Sequence, residues 1–365
     1  MTSATLDRAP LSHARLPRFA PFFVLGVAIV VSVLLGLLLG WNYATMAIIA
    51  DLLFLAALPA WSALLEGRRA ATDRFVTALI WSMFAVVCVP LVWVIAEVIR
   101  KGAPKLTGHF LSTSMRNVPV GVGAPGGVLN SIEGTLLITL FAAIIAIPLG
   151  LLTAIYLVEY GRGSRLARII TFLVDVMTGI PSIVAGLFAL ALFVLIFGPA
   201  VQMGFEGSVA LSLLMTPTVV RSSEEMLRLV PTDLREASYA LGVPKWRTIL
   251  KVVVPTSIGG IVTGIMLAIS RVIGETAPLM VLLTYNPGMN GNVFSGPMGT
   301  LPTFIFNQYH TPEPPPRVPL GTLVQPPSAS VGRMWAAALV LILIVMILNL
   351  VARVVGKVFA PKTGR

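Results

Sequence analysis

Residues 231–255 read PTDLREASYALGVPKWRTILKVVVP and lie between two long apolar blocks of the chain. Asp233 and Glu236 resemble a capping box at a helix start, with Asp in the place of Ser or Thr. Gly242 fits the left-handed position that follows a helix, and Pro244 can open another helix. The stretch predicts a two-turn helix, a tight turn and a second helix that stops at the final proline. Because a two-turn helix is marginal in water, it needs a docking surface, on this chain or on a separate protein.

The composition excludes an ordinary water-soluble globule. Of the 365 residues, 56% are apolar and 11% are charged, against about 45–50% and about 25% in soluble domains. An all-α polytopic membrane protein is the class that fits. In a soluble protein the net charge of +11 would suggest a nucleic-acid partner. In a membrane protein, basic cytoplasmic loops explain this charge, so we expect membrane lipid and no nucleic acid as a partner.

Eight blocks are long enough to cross a bilayer, which takes about 20 apolar residues. The sixth block has a short apolar part, and its far end carries Arg221, Glu224 and Glu225. We therefore expect this helix to leave the membrane and continue into water. The predicted spans are 21–40, 44–65, 75–98, 132–157, 169–197, 208–229, 257–283 and 334–355.

The loops between these blocks alternate in charge. One set of loops, together with both tails, carries 19 basic residues, and the opposite set carries six. Basic loops remain in the cytoplasm, so both termini and the 221–256 loop are predicted to be cytoplasmic. The long outer loops at 104–130 and 285–332 are rich in glycine or proline and are expected to be largely extended. Residues 301–309 are apolar enough to lie at the outer membrane surface.

No motif predicts an enzyme, a metal site or a cofactor site. The single cysteine, Cys88, excludes disulfides and cysteine-based metal sites, and all three histidines lie outside the apolar blocks. Residues 121–126 match G-x-G-x-x-G, but no strand precedes them and no helix-forming stretch follows directly. Because no P-loop or hydrolase motif occurs, any ATP must be handled by another chain.

Arg271 and Glu275 are ionisable residues deep inside the seventh block. Such residues are costly in a membrane and require a partner, a cavity or a function. Their spacing predicts that both lie on one helical face, either as a self-neutralising pair or as part of an anion path. A guanidinium matches the geometry of oxyanions, and the hydroxyl of a hydrogen phosphate can donate a hydrogen bond to a carboxylate. The residue types alone do not establish a preference for phosphate.

A second feature inside the membrane is a predicted kink in the fifth block. Pro181 lacks a backbone donor, and with Gly179 it is expected to bend the helix beside Thr178 and Ser182. The bend could expose polar backbone to a central path or serve packing alone. Asp175 is expected to pair with a neighbouring helix or loop.

Two further acidic residues lie nearer the outer ends of predicted spans. Asp51 and Glu97 are expected to be interfacial or to reach towards the headgroups.

The coupling loop, as we call residues 221–256, resembles a known signature. Glu236-Ala-Ser, then Gly242, Val252 and Val254-Pro255 look like the EAA signature of ATP-binding-cassette (ABC) importer permeases. The resemblance implies that the short helix couples the permease to separate ATPase subunits. It also implies that Glu236, Ala237 and Gly242 are the residues that shape this contact.

The run Arg271-Val-Ile-Gly-Glu275-Thr276-Ala-Pro is similar to the signature of phosphate-specific permeases, and its last residues resemble their A subunits. The resemblance implies ATP-driven import of inorganic phosphate by alternating access, with Arg271, Glu275 and Thr276 in the substrate pathway. Permeases for sulfate or phosphonate, and a membrane scaffold that senses phosphate for a signalling kinase, are the alternatives.

The resemblance also implies an organisation and a set of partners. The fold would be a type I importer core of about six helices, with two additional N-terminal spans, in the plasma membrane of a prokaryote. The partners would be ATPase subunits, a paralogous permease of the C type and an extracytoplasmic phosphate-binding protein. The implied segments are a tail (1–20), the additional helix pair (21–74), the core (75–356) and a second tail (357–365).

Overall fold

The computed structural model describes residues 16–118, 126–199, 201–311 and 328–359. Helices dominate these ranges, and no strand occurs in them. The chain divides into two compact units at Ala96. In order, the helices are α1 (Ala20–Leu39), α2 (Tyr43–Leu65), α3 (Arg68–Gly102), α4 (Gly108–Ser112), α5 (Leu129–Ile155), α6 (Arg165–Gly179), α7 (Ser182–Phe197), α8 (Gly204–Arg228), α9 (Thr232–Ala240), α10 (Lys245–Thr248), α11 (Val254–Val272), α12 (Ala277–Leu282), α13 (Leu301–His310) and α14 (Ala329–Phe359).

The first unit contains α1, α2 and most of α3. Gly40 at φ +69° ends α1 in the left-handed conformation, and Asn42 caps the start of α2 by accepting a hydrogen bond from the backbone of Thr45. The two helices therefore form an antiparallel pair. Its interior contains small and apolar side chains, among them Ala28 and Leu58.

The second unit is built around α5 and α8, which lie along one another. Gly150 of α5 allows this close approach, because a Cβ atom there would lie 2.7 Å from Val219. Its largest buried cluster contains Ile138 of α5, Leu211 of α8 and Leu279 of α12. Burying such side chains contributes about 1.5–3 kcal/mol each in water, and less where the alternative is lipid. Packing of small residues thus sets the position of the central helices.

Six helical stretches in the described ranges are long and apolar enough to cross a membrane, and the bent pair α6 and α7 makes a seventh if counted as one span. The sixth predicted span corresponds to α8, which is one continuous helix but is not among the six. Polar and charged residues near both ends of α8, including Glu206 and Glu224, explain this difference. The remaining six predicted spans match the six stretches. They are α1, α2, 68–105, 129–160, 245–272 and 329–356.

The fifth predicted span is broken rather than kinked. α6 ends at Gly179 and α7 starts at Ser182, with an angle of 109° between them. Ile180, which precedes Pro181, has extended backbone angles (φ −70°, ψ 128°). This conformation follows from the clash between the proline ring and the preceding residue. The prediction of a bend at this site is confirmed, and its size is larger than a kink in one helix.

The expectations for the seventh span and for the second coupling helix were wrong in two details. Within the seventh predicted span, α11 ends at Val272 and α12 begins only at Ala277. Glu275 therefore lies outside both helices. The helix that begins at Lys245 does not stop at Pro255. A π-helical turn at Ile249–Val253 precedes the proline and joins α10 to α11. Such a turn rearranges the backbone hydrogen bonds, which explains how the proline is tolerated.

The predicted capping box also does not form. α9 starts at Thr232 after Pro231, and no side chain caps it. Asp233 therefore lies inside the first turn, where a carboxylate still suits the helix dipole.

Residues 301–309 form most of α13, whose capping box is made by Thr300 and Thr303. Leu301 and Phe304 are fully buried in a cluster with residues of α14, so one face of this helix packs against protein and not against lipid. Most of the G-x-G-x-x-G match, the proline-rich residues 312–327 and the tails at 1–15 and 360–365 lie outside the described residues.

Candidate functional site

The coupling loop presents one face to the surroundings. Glu236, Ala237 and Gly242 are all exposed. Gly242 has φ +75°, which confirms its predicted left-handed conformation. The side chains of Leu241 and Trp246 beside the turn are 83% and 54% exposed. An exposed apolar surface of this kind, edged by polar residues, is typical of a protein contact.

The opposite face of α9 contacts the end of α5 and the end of α8 through Arg235. The Nε and Nη2 atoms of Arg235 donate to one carboxylate oxygen of Glu159 at 3.0 and 2.9 Å. The same guanidinium donates to the backbone carbonyls of Val230 at 2.5 Å and Leu227 at 2.9 Å. The side chains of Arg235 and Glu159 are 8% and 3% exposed. α9 is thus held against the π-helical turn Tyr156–Tyr160 that follows α5.

Two further contacts hold the other side of the turn. The ammonium group of Lys245 donates to the backbone carbonyl of Glu159 and lies 4.8 Å from the centre of the Tyr160 ring. The hydroxyls of Ser238 and Thr248 lie 2.8 Å apart, which joins α9 to α10. The loop is therefore held on both sides of Gly242.

The sequence did not indicate the pairing of Glu159 with Arg235. In the chain, 76 positions separate the two residues. An acidic residue at the end of an apolar block was the available signal. Its partner became evident only from the packing.

Arg271 lies in the last turn of α11 and is exposed on this chain. Its Nη1 atom is 3.5 Å from the Thr218 hydroxyl of α8. Glu275 and Thr276 lie in the break before α12, and the backbone N–H of Glu275 donates to the carbonyl of Val272. Among the ion pairs of the described residues, none joins Arg271 to Glu275. The prediction of one shared helical face was wrong, and no self-neutralising pair is formed.

The two broken spans contact each other. α12 packs on α7 at Gly186, where a Cβ atom would lie 2.8 Å from Cα of Pro278. The break that contains Glu275 is therefore anchored to the helix that follows the break at Gly179 and Pro181. Discontinuous helices of this kind place backbone groups inside membrane proteins only where protein or a cavity surrounds them.

The residues predicted to line a pathway in the fifth block lie at the break between α6 and α7. Thr178, Gly179 and Pro181 are exposed and Ser182 is half-buried. The Thr178 hydroxyl donates to the carbonyl of Val174, so its hydrogen-bonding capacity is partly used within α6. The structure thus gathers these residues at one corner, on the surface of this chain.

The predicted pairing of Asp175 is confirmed. Asp175 contacts Arg221 of α8, and Arg221 also donates to Glu224 at 2.8 Å. Glu224 accepts a further hydrogen bond from Arg228. This network joins α6 to the end of α8 that precedes the coupling loop.

The two acidic residues predicted near the outer ends of spans also have partners. Asp51 accepts a hydrogen bond from Ser82 at 2.6 Å, and Glu97 pairs with Arg100 at 2.7 Å and Lys101 at 2.8 Å. No group of three or more histidine, cysteine, aspartate or glutamate side chains in the described ranges could hold a metal ion.

Comparisons with known proteins give a consistent relationship. Residues 146–365 match the family model of the binding-protein-dependent transport system inner membrane component. The phosphate transport system permease protein PstA 1 of Mycobacterium tuberculosis (strain CDC 1551 / Oshkosh) is 45% identical over 289 residues, which cover 79% of this chain and 90% of that protein. The PstA protein of Yersinia pestis is 38% identical, covering 74% of this chain and 84% of that protein.

Among solved structures, a chain of the inward-facing MetNI methionine ABC transporter, in its CY5 native crystal form, aligns with a TM-score of 0.47 and 20% identity. The alignment covers 64% of this chain and 95% of that chain. From the family model and the curated relatives, the chain belongs to the binding-protein-dependent inner-membrane transport components, in the PstA group of phosphate permeases.

Proposed function

We propose that this chain is the permease subunit of an ATP-driven importer of inorganic phosphate and that Arg271, Glu275 and Thr276 form part of its substrate pathway. The observation that carries the proposal is the position of Arg271. Its guanidinium is exposed beside a break in a membrane helix, and no carboxylate among the described residues neutralises it. Relatives at 45% and 38% identity whose names describe phosphate transport support the choice of substrate.

The chemistry of the proposed pathway follows from its two charges. The guanidinium of Arg271 offers parallel donors to two oxygens of the anion. Glu275 can accept a hydrogen bond from the proton that hydrogen phosphate carries, whereas fully ionised sulfate has no proton to donate. A nearby carboxylate also keeps the anion from binding too tightly, which allows release. Thr276 adds a hydroxyl at the same break.

The side chains near the helix break of the fifth block are a second part of this proposal. Thr178, Gly179, Pro181 and Ser182 lie at the surface of the chain where α6 turns into α7. We place them along the pathway because α7 packs directly on the segment that follows Thr276. The paralogous C-type permease would complete the pathway from the other side.

ATP hydrolysis belongs to separate subunits in this proposal. Glu236, Ala237 and Gly242, with the exposed side chains of Leu241 and Trp246, form the surface that an ATPase subunit would contact. In this proposal the chain consists of the extra helix pair (21–74) and the core (75–356), with both termini in the cytoplasm. An extracytoplasmic phosphate-binding protein completes the assembly. The basic loops assign the coupling loop to the cytoplasmic side.

Phosphate uptake by reconstituted vesicles tests the proposal. The complex is assembled with its ATPase and binding protein, and uptake of labelled phosphate is measured for Arg271→Ala and Glu275→Gln. In the proposed pathway, the guanidinium of Arg271 makes two charge-assisted hydrogen bonds to phosphate, worth about 1.5–3 kcal/mol each. We therefore expect Arg271→Ala to lower uptake at least about 100-fold. Arg100→Ala is the control, because this arginine is also exposed but pairs with Glu97.

The result also decides between substrates. We expect an excess of sulfate or phosphonate to leave phosphate uptake unchanged. Wild-type uptake by both Arg271→Ala and Glu275→Gln, in a fully assembled complex, would remove these residues from the pathway. Strong competition by sulfate would instead overturn the choice of substrate.

A further inference from the structure

We infer that Glu159 and Arg235 form a latch that transmits movement of the coupling loop directly to α5. The inference rests on the proposed function, in which the coupling loop contacts an ATPase subunit. It adds two positioning residues that lie outside the predicted coupling residues and outside the substrate pathway. The latch adds a buried ion pair to the covalent continuation of the loop into α8 and α11 and to the contacts of Lys245 with the turn after α5.

The first argument is geometric. Arg235 donates through Nε and Nη2 to the same oxygen of Glu159 and uses further hydrogens for the carbonyls of Val230 and Leu227. One guanidinium therefore joins three segments, namely the turn after α5, the end of α8 and the start of α9. A planar group with fixed donors holds such a junction more rigidly than a flexible ammonium group does.

The second argument concerns energy. Both side chains are more than nine-tenths buried. Burying an ion pair costs desolvation energy that its attraction often does no more than offset, so an apolar pair of similar volume would stabilise the fold equally well. Removing one partner, in contrast, leaves a buried charge without compensation. An ion pair at this position therefore contributes a defined geometry more than stability.

The third argument is that the turn after α5 contacts both halves of the coupling loop. The π-helical turn Tyr156–Tyr160 is closed by a hydrogen bond from the N–H of Gly161 to the carbonyl of Tyr156 at 2.6 Å. The carbonyl of Glu159 accepts from Lys245, and the ring of Tyr160 lies beneath the same ammonium group. α9 and α10 are thus tied to one short turn, and π-turns often occur at functional positions.

A packed route continues from the latch to the substrate residues. α5 lies against α8, where Gly150 contacts Val219. The preceding residue, Thr218, contacts Arg271. A displacement of the coupling loop at Arg235 can therefore reach Arg271 through side-chain contacts of α5 and α8. This route does not pass along residues 236–270, which join the two arginines in the chain. A route of contacts becomes a coupling route only when its disruption changes coupling, which the experiment measures.

The experiment uses the full complex in vesicles with its ATPase and binding protein. Three quantities are measured, namely co-purification of the ATPase, ATP hydrolysis, and the number of phosphate ions taken up per ATP hydrolysed. The variants are Glu159→Gln, which removes the negative charge, and Arg235→Lys, which keeps the positive charge but loses the planar set of guanidinium donors. Glu66→Gln and Arg74→Lys are matched controls, because Glu66 and Arg74 form a similar pair in the first unit and belong to neither the coupling loop nor the turn after α5.

We expect Glu159→Gln and Arg235→Lys to retain the ATPase and to hydrolyse ATP, while phosphate uptake per ATP falls roughly 2- to 30-fold. The controls should keep the wild-type ratio. If Glu159→Gln fails to assemble, Glu159→Asp keeps the charge and moves it by one methylene group, and it should show the same fall in ratio after assembly.

Two outcomes would overturn the latch. One is a wild-type ratio of phosphate to ATP in assembled Glu159→Gln and Arg235→Lys. The other is uptake that falls only in proportion to lost assembly in every variant, which would make the pair a fold contact. A Gly242→Leu complex, measured in parallel, reports separately on whether the coupling loop is the ATPase contact: uncoupled ATP hydrolysis supports that contact, and a wild-type ratio of phosphate to ATP contradicts it.

Discussion

Gly186→Ala should push α7 away from α12 and disturb the break that carries Glu275 and Thr276. The added Cβ atom would lie 2.8 Å from Cα of Pro278 and 3.0 Å from its carbonyl oxygen, whereas ordinary contacts start at 3.4 Å. Both neighbours are backbone atoms and cannot rotate away, so the helices must separate by roughly half an ångström. Overpacking of this kind costs about 1–3 kcal/mol.

The functional effect should exceed the loss of stability. α12 begins directly after Thr276, so its displacement moves the pathway residues, and a misplacement of about 1 Å can cost about 100-fold in a reaction that depends on geometry. We expect phosphate uptake per assembled complex to fall at least about tenfold. The melting temperature of the purified complex in detergent should fall by several degrees.

Gly26→Ala is the control. This glycine lies inside α1, outside the proposed pathway, and a Cβ atom there would meet nothing within 4 Å. Its uptake should remain within about twofold of the wild type. Equal uptake by Gly186→Ala and the wild type would refute the argument from close packing, and an equal loss in Gly26→Ala would show that the effect does not depend on the contact between α7 and α12.

Two further predictions concern the loops. Gly242→Leu should uncouple ATP hydrolysis from uptake, because a left-handed conformation costs a side chain about 1–2 kcal/mol. Gly163→Leu, at φ +77° in another loop, should keep normal coupling, and similar defects in both would contradict a specific role. The hydrogen bond from Arg74 is the main reason that the pKa of Glu66, just beyond α2, falls from 4.5 to about 2. A lowered pKa stabilises the fold above pH 4.5 and ceases to do so as the pH falls towards 2. The difference in melting temperature between wild type and Glu66→Gln should therefore be constant from pH 5 to pH 7 and shrink progressively below pH 4.5, and an undiminished difference at pH 3 would refute this.

The sequence alone predicted much of the secondary structure, because the backbone conformation of a short segment depends largely on its own residues. The apolar blocks predicted the membrane helices because hydrocarbon admits only chains that satisfy their own hydrogen bonds. Gly242 predicted its left-handed turn, and Pro181 predicted the bend that ends α6. The signatures around Glu236 and Arg271 indicated the family, which the comparisons confirmed.

Tertiary structure decided the features that depend on distant partners. The spacing of Arg271 and Glu275 suggested one helical face, yet the helix ends between them because α12 packs separately on α7. Pro255 suggested a helix end, yet a π-turn carries the chain through it. The pairing of Glu159 with Arg235 depends on how α5 lies against α8. A carboxylate 76 positions away becomes a neighbour only after small residues have let those helices approach.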